Sequence, residues 1–168
     1  MTLFFYGCSN VHYIKNYKKT ITKQSGKNTC WAASISGVLK YFGRHITEKE
    51  VISLMYDKDS DLPWMPNSYR FEYPNQNYKD YFFDDVIPIL GVKGQVIEKK
   101  DVEKYIDKNT PVIVGFNSHI QIIIGYNESD YILMNPFFGK IEFYPKRDIV
   151  YSYIGIQNIW SPIFFVLE

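Results

Sequence analysis

The chain predicts an α+β fold in which N-terminal helices pack on a twisted antiparallel β-sheet built from the C-terminal half. Three stretches carry that expectation. From Trp31, apolar residues fall at 31, 32, 35, 38, 39 and 42, the stripe of an amphipathic helix with one buried face. Pro111-Val-Ile-Val-Gly-Phe116 is a continuous apolar run, the signature of a central strand covered on both sides. Directly after it, Ser118–Tyr126 and Tyr131–Asn135 flank the polar tetrad Asn127-Glu-Ser-Asp130, which reads as a strand, a turn and a returning strand.

In chain order, residues 1–19 form a lead-in and 20–168 a single domain, the expectation for 168 residues with a sizeable core. The lead-in starts with an apolar stub that ends in Gly7-Cys8-Ser9-Asn10, similar to the tail of a bacterial lipoprotein signal over residues 1–8. Lipidation at Cys8 is then the one route to a membrane, since no apolar run approaches the length of a spanning helix. A short edge strand over Leu3–Tyr6 is the competing expectation. The first helix follows, with Asn28 or Thr29 as its cap and Gly43 at its left-handed end. Thr47 and Glu50 have the spacing of a capping box, and Ile46 can staple onto Val51, so a second helix runs to about Tyr56.

Asp57–Tyr78 has no periodicity but many aromatics and prolines, which predicts a cleft wall or a surface insertion. Tyr81–Leu90 reads as a short helix kinked at Pro88, Gly94–Glu98 as a strand, and Asp101–Asp107 as a helix with Val102, Tyr105 and Ile106 inward. After Asn135-Pro136, the segments Lys140–Tyr144, Ile154–Ile159 and Ile163–Leu167 complete the sheet.

The chemistry concentrates in two places. Cys30 falls in the first turn of the Trp31 helix, where free amides and the helix dipole favour a thiolate. Gln24 stands six residues upstream across a polar loop, so its side-chain amide and the Cys30 main-chain amide can form an oxyanion hole. In the hairpin, a turn centred near Asn127 puts His119 directly opposite Asn135 on one face of the sheet. An amide beside an imidazole fixes its tautomer and leaves the other ring nitrogen for a cysteine.

Gln24, Cys30-Trp31, His119 and Asn135-Pro136, in that order, resemble a papain-like cysteine protease of the compact bacterial type. Effector-type proteases and the leader peptidases of peptide exporters are similar in length, in the Gln-to-Cys spacing and in the His…Asn-Pro hairpin. The resemblance spans about residues 20–140. It implies a papain-like fold, with Cys30 as nucleophile, His119 as general base and acid, Asn135 as the residue that orients the imidazole, and Gln24 as oxyanion donor. Thr29-Cys30-Trp31 departs from the Asp-Cys-Gly of exporter-linked peptidases, and Asn135 stands where many compact members carry Asp. The implied reaction is hydrolysis of a peptide bond through an acyl-enzyme. A papain-fold amidase or acyltransferase and a non-catalytic peptide-binding envelope protein are the alternatives.

Composition constrains the partners. With 19 basic and 18 acidic side chains the net charge is +1, which steers the chain towards neither nucleic acid nor an anionic membrane. The partner expected is a peptide or protein substrate, and the protein is expected to be a monomer in the cell envelope or secreted. Two cysteines indicate no disulfide framework, and the three histidines show no metal-ligand spacing, so neither cofactor nor metal is expected. No segment of the length that papain zymogens carry precedes the nucleophile helix, which predicts a chain that is either mature or never held as a zymogen.

Overall fold

The computed structural model describes residues 10–27, 29–55, 87–116, 119–149, 152–154, 158–160 and 163–167. Cys8, Leu3–Tyr6, Asn28, the aromatic stretch 57–78 and the first part of the expected 81–90 helix lie outside them. Among the described residues, β1 (His12–Tyr13) and a 3-10 turn (Tyr17–Thr20) lead into α1 (Cys30–Tyr41) and α2 (Glu48–Met55). A single helical turn at Ile87–Ile89 precedes β2 (Gly94–Ile97) and α3 (Val102–Asp107). Then come β3 (Val112–Phe116), β4 (His119–Tyr126), β5 (Asp130–Asn135), β6 (Lys140–Pro145), β7 (Ser152–Ile154), β8 (Asn158–Trp160) and β9 (Ile163–Leu167).

The fold is α+β, with one main sheet in the order β2-β9-β3-β4-β5-β6 and β1 added against β4, every pairing antiparallel. The expectation that Ile154–Ile159 adds a strand to this sheet is corrected. That stretch contributes to β7 and β8, which pair with each other as a separate two-stranded sheet. The apolar runs explain the centre of the main sheet. Val112, Val114, Ile122, Ile123, Ile124, Ile132, Leu133 and Met134 are all fully buried, because both faces of β3, β4 and β5 are covered. Lys99–Asp101 forms a 3-10 turn ahead of α3, which buries Val102 and Ile106 and leaves Tyr105 partly covered.

Local chemistry sets both ends of the helices. Gly43 takes φ 83°, and Gly43 N–H donates to Lys40 O while Arg44 N–H donates to Leu39 O, the paired bonds that close a helix around a left-handed residue. At α2, Thr47 N–H donates to Glu50 Oε2 at 2.7 Å and Glu50 N–H donates to Thr47 Oγ1 at 3.2 Å, a complete capping box. Those bonds from the Thr47 main chain and hydroxyl hold the Glu50 carboxyl below its usual range.

α1 departs from the one-sided stripe. Every residue from Cys30 to Leu39 is buried, while Phe42 at the end of the stripe is exposed. β4, the 3-10 turn and α2 surround the helix. The small residues Ala32, Ala33, Ser34, Ser36 and Gly37 let them come close, and the three polar contacts are hydrogen-bonded. Ser34 Oγ donates to Ile120 O, Ser36 Oγ to Ile46 O, and Thr22 Oγ1 to Ala33 O. A periodicity of apolar residues cannot register this burial, because Ser and Gly count as polar or neutral although their size is what the packing uses.

A methyl group at Gly37 would lie 2.6 Å from Thr20 O and 2.9 Å from Ile122 Cδ1. In an open helix, Gly→Ala stabilises by about 1 kcal/mol. Here the sign should invert: Gly37→Ala is expected to lose about 1–3 kcal/mol by overpacking, read from denaturant unfolding. A stability equal to or above wild type would show that α1 and β4 are not held this close.

Candidate active site

Cys30 opens α1, and the residue before it does not cap the helix. The Thr29 hydroxyl instead accepts from Gly26 N–H at 3.0 Å and donates to Gly26 O at 3.1 Å, closing the preceding loop on itself. The first helical amides therefore remain free for another acceptor. The Cys30 sulfur lies near the main-chain N–H groups of Ile120, Trp31 and its own residue, which draw the thiol's pKa down. Ile120 is the second residue of β4 and follows His119 directly.

The expectation that the helix start favours a thiolate is corrected for this arrangement. Burial is the dominant effect and pushes the Cys30 thiol above its ordinary value. The three amides pull it down, and the Glu48 carboxylate pushes it further up. With the residue only 9% exposed, the loss of water outweighs the amides. A thiolate at neutral pH therefore needs a cation beside it.

His119 opens β4 opposite Phe116 of β3, and Asn135 closes β5. His119 Nε2 and Asn135 Oδ1 are 2.8 Å apart. The register differs from the one expected. Ile122 pairs with Met134 and Tyr126 with Tyr131, with a bulge between Ile123 and Gly125. One step along the ladder from Met134, Asn135 falls beside Gln121, so His119 is its diagonal neighbour on the same face and not its direct partner. The hairpin turn sits later than Asn127 because that side chain folds forward, its Oδ1 accepting from Ser129 N–H and Asp130 N–H.

The Asn135 amide has a fixed orientation. Its Nδ2 donates to Glu142 Oε2 at 2.8 Å, and its Oδ1 accepts from Phe137 N–H at 3.0 Å. A carboxylate can only accept and an amide N–H can only donate, so Oδ1 must be the atom that faces the imidazole. His119 then carries its neutral-state proton on Nε2, and Nδ1 is the nitrogen left for a reacting group. The Phe137 ring stands edge-on to the imidazole, with Phe138 edge-on to Phe137, and both phenyl groups are exposed.

Gln24 is buried beside this turn, its main-chain N–H donating to Pro136 O at 2.8 Å. Its Nε2 donates to Gly26 O at 2.7 Å and to Lys27 O at 3.0 Å, so both amide hydrogens are engaged within its own loop. The structure thus brings His119 and Asn135 into direct contact and sets Cys30 against the residue next to His119. Cys30 and His119 are not hydrogen-bonded to each other. Gln24 is tied to the Asn135-Pro136 turn but does not aim a free donor at the sulfur. Sequence reasoning missed Glu142 and the Ile120 amide. A hairpin reading of Pro136–Gly139 could have found Glu142, since the observed pairing of Asn135 with Lys140 and Leu133 with Glu142 puts Asn135 and Glu142 on one face.

A family model described as the Peptidase_C39 like family matches residues 9–159. No curated protein matches the chain.

The burial of Cys30 makes its reactivity a direct test of what His119 does. In His119→Ala, alkylation by iodoacetamide at Cys30 should rise only above the ordinary thiol range of about 8.5. In the wild-type protein an imidazolium at position 119 should bring that rise down to mildly acidic pH. Mass spectrometry of the Cys30 peptide across pH measures both, and superimposable profiles would remove His119 from the activation of the thiol.

Proposed function

The chain belongs to the Peptidase_C39-like family, a family consistent with papain-like cysteine proteases, and on that premise we propose that it is a cysteine peptidase using Cys30, His119 and Asn135 in a papain-like arrangement. The observation that carries this reading is the 2.8 Å bond between His119 Nε2 and Asn135 Oδ1, at the end of β4 that α1, opened by Cys30, packs against. Cys30 Sγ gives its proton to His119 Nδ1, and the resulting thiolate attacks the scissile carbonyl. The C–N bond breaks as Nδ1 returns that proton to the leaving amine. A water molecule, deprotonated by the same nitrogen, then displaces the thiolate from the acyl-enzyme. Asn135 keeps the ring in plane throughout by accepting from Nε2–H.

The developing oxyanion needs donors at the helix start. The Cys30 main-chain N–H, at the first residue of α1, supplies one of them. Gln24 supplies the second donor by exchanging its longer bond, to Lys27 O, for the oxyanion, while the bond to Gly26 O keeps the side chain in place. Exposed Phe137 and Phe138 give the substrate an apolar surface next to His119.

A second reading, a papain-like shell that binds peptides without cleaving them, draws on the raised Cys30 thiol and the missing Cys30–His119 bond. Profiling on a proteome-derived peptide library separates the two. Wild type should cleave, Cys30→Ala should not, and His119→Ala should be nearly as inactive. Gln24→Ala should lose about a hundredfold, the typical effect of one oxyanion donor. Asn135→Ala should lose less, since the proton shuttle itself remains. Peptide binding without cleavage by the wild-type protein would favour the shell.

A further inference from the structure

Asn135 is neutral, so it can receive the imidazole N–H but cannot balance the charge that the ring gains when it takes the Cys30 proton. Its surroundings contain a charge that can. Glu142 Oε2 accepts from Asn135 Nδ2 at 2.8 Å, and Asn135 itself is 7% exposed, so the amide end of this charge-assisted bond is buried while the carboxylate is half-buried. Glu142 forms no ion pair among the described residues. Its carboxylate is thus committed to a buried amide and, among the described residues, is not neutralised by a lysine or arginine.

Resting on the peptidase reading above, we propose that Glu142 is a positioning residue of the active site, the anionic end of a His119–Asn135–Glu142 hydrogen-bond chain. It acts in two ways. The carboxylate locks the amide, because a flipped Asn135 would set Oδ1 against Glu142 Oε2 and Nδ2 against Phe137 N–H. It also polarises the amide, so that Oδ1 becomes a stronger acceptor for Nε2–H as the ring charges. The negative charge thereby stands one residue behind the amide and not at position 135. It follows that a carboxylate introduced at position 135 would meet a second one at hydrogen-bond distance and should be harmful in this chain.

The experiment is a charge exchange across the pair. Wild type, Glu142→Gln, Asn135→Asp and the double variant are compared for Cys30 alkylation by iodoacetamide at neutral pH and for cleavage of a library-selected peptide. Glu142→Gln keeps an oxygen acceptor for Asn135 Nδ2 but removes the anion, and both rates should fall about tenfold, the scale of a hydrogen bond to a charged group. Asn135→Asp should fall at least as far. The double variant again has one anion, now accepting from the ring and from the glutamine side chain, and should return to within about threefold of wild type. A structural role for Glu142 would not produce that rescue. Wild-type rates in Glu142→Gln, or a double variant no faster than the slower single one, would overturn the proposal. The His119 Nε2–H proton resonance, followed by NMR in a Cys30→Ala background, separates this from failure of the peptidase reading. It should move upfield in Glu142→Gln and recover in the double variant even if no peptide is cleaved. An unmoved resonance counts against Glu142 whatever the activity.

Discussion

How closely α1 approaches β4 decides where the sulfur sits, and the rest of the site is arranged around that distance. Gly37 leaves no room for a methyl group between Thr20 and Ile122, and Ser34 Oγ bonds to the Ile120 carbonyl. With the helix fixed to the strand at these two levels, its first residue is carried to the Ile120 amide. A larger residue at 33, 34 or 37 would push the helix outward and take Cys30 away from β4 before it altered any reacting group. The small, unremarkable side chains of α1 are therefore as much part of the site as the cysteine is.

That proximity has a chemical cost. A sulfur seated on a strand and enclosed by its own helix loses water, and the loss outweighs three amide donors. Thr29 shows the same balance from the other side. Had its hydroxyl capped α1, the helical amides would have been occupied. Because it is committed to Gly26, it leaves those amides uncapped at the residue that carries the sulfur. Main-chain donors alone do not offset the loss of water, so the thiol stays above its ordinary value.

The elements marked by strong local signals were legible in the residues alone. The α2 capping box, the left-handed Gly43 and the buried β3 and β4 runs each rest on a pattern with one physical meaning. The pairing of His119 with Asn135 was legible as a shared face, because alternation survives a shift of two residues, whereas the register itself was not. It depends on the Asn127 side chain folding into the turn and on the bulge near Ile124, neither of which an alternation pattern records. Gln24 illustrates another limit. Its spacing from Cys30 allows a donor near the sulfur, but the carbonyls of Gly26 and Lys27 compete for the same two hydrogens, and only coordinates show which acceptors win. The all-round burial of α1 escaped for a related reason, since it depends on residue size and not on polarity.

The two halves of the site are also joined away from the reacting atoms. Gln24 N–H donates to Pro136 O, immediately after Asn135, and Gly139 N–H donates to Asn135 O across the same turn. One residue along the loop, Ser25 N–H is held by both oxygens of Glu48 in the first turn of α2. The loop that delivers Cys30 is thereby clamped between α2 and the turn that presents Asn135, so neither can shift without the other. A residue on this path acts on the site through position and through field together: the Glu48 carboxylate anchors the loop and raises the Cys30 thiol. An anion that fixes geometry near a nucleophilic sulfur works against its ionisation. Glu142 is bonded instead to Asn135, and in the proposed proton transfer its charge would favour the imidazolium. In that proposal the two glutamates differ in which side of the proton transfer each one faces.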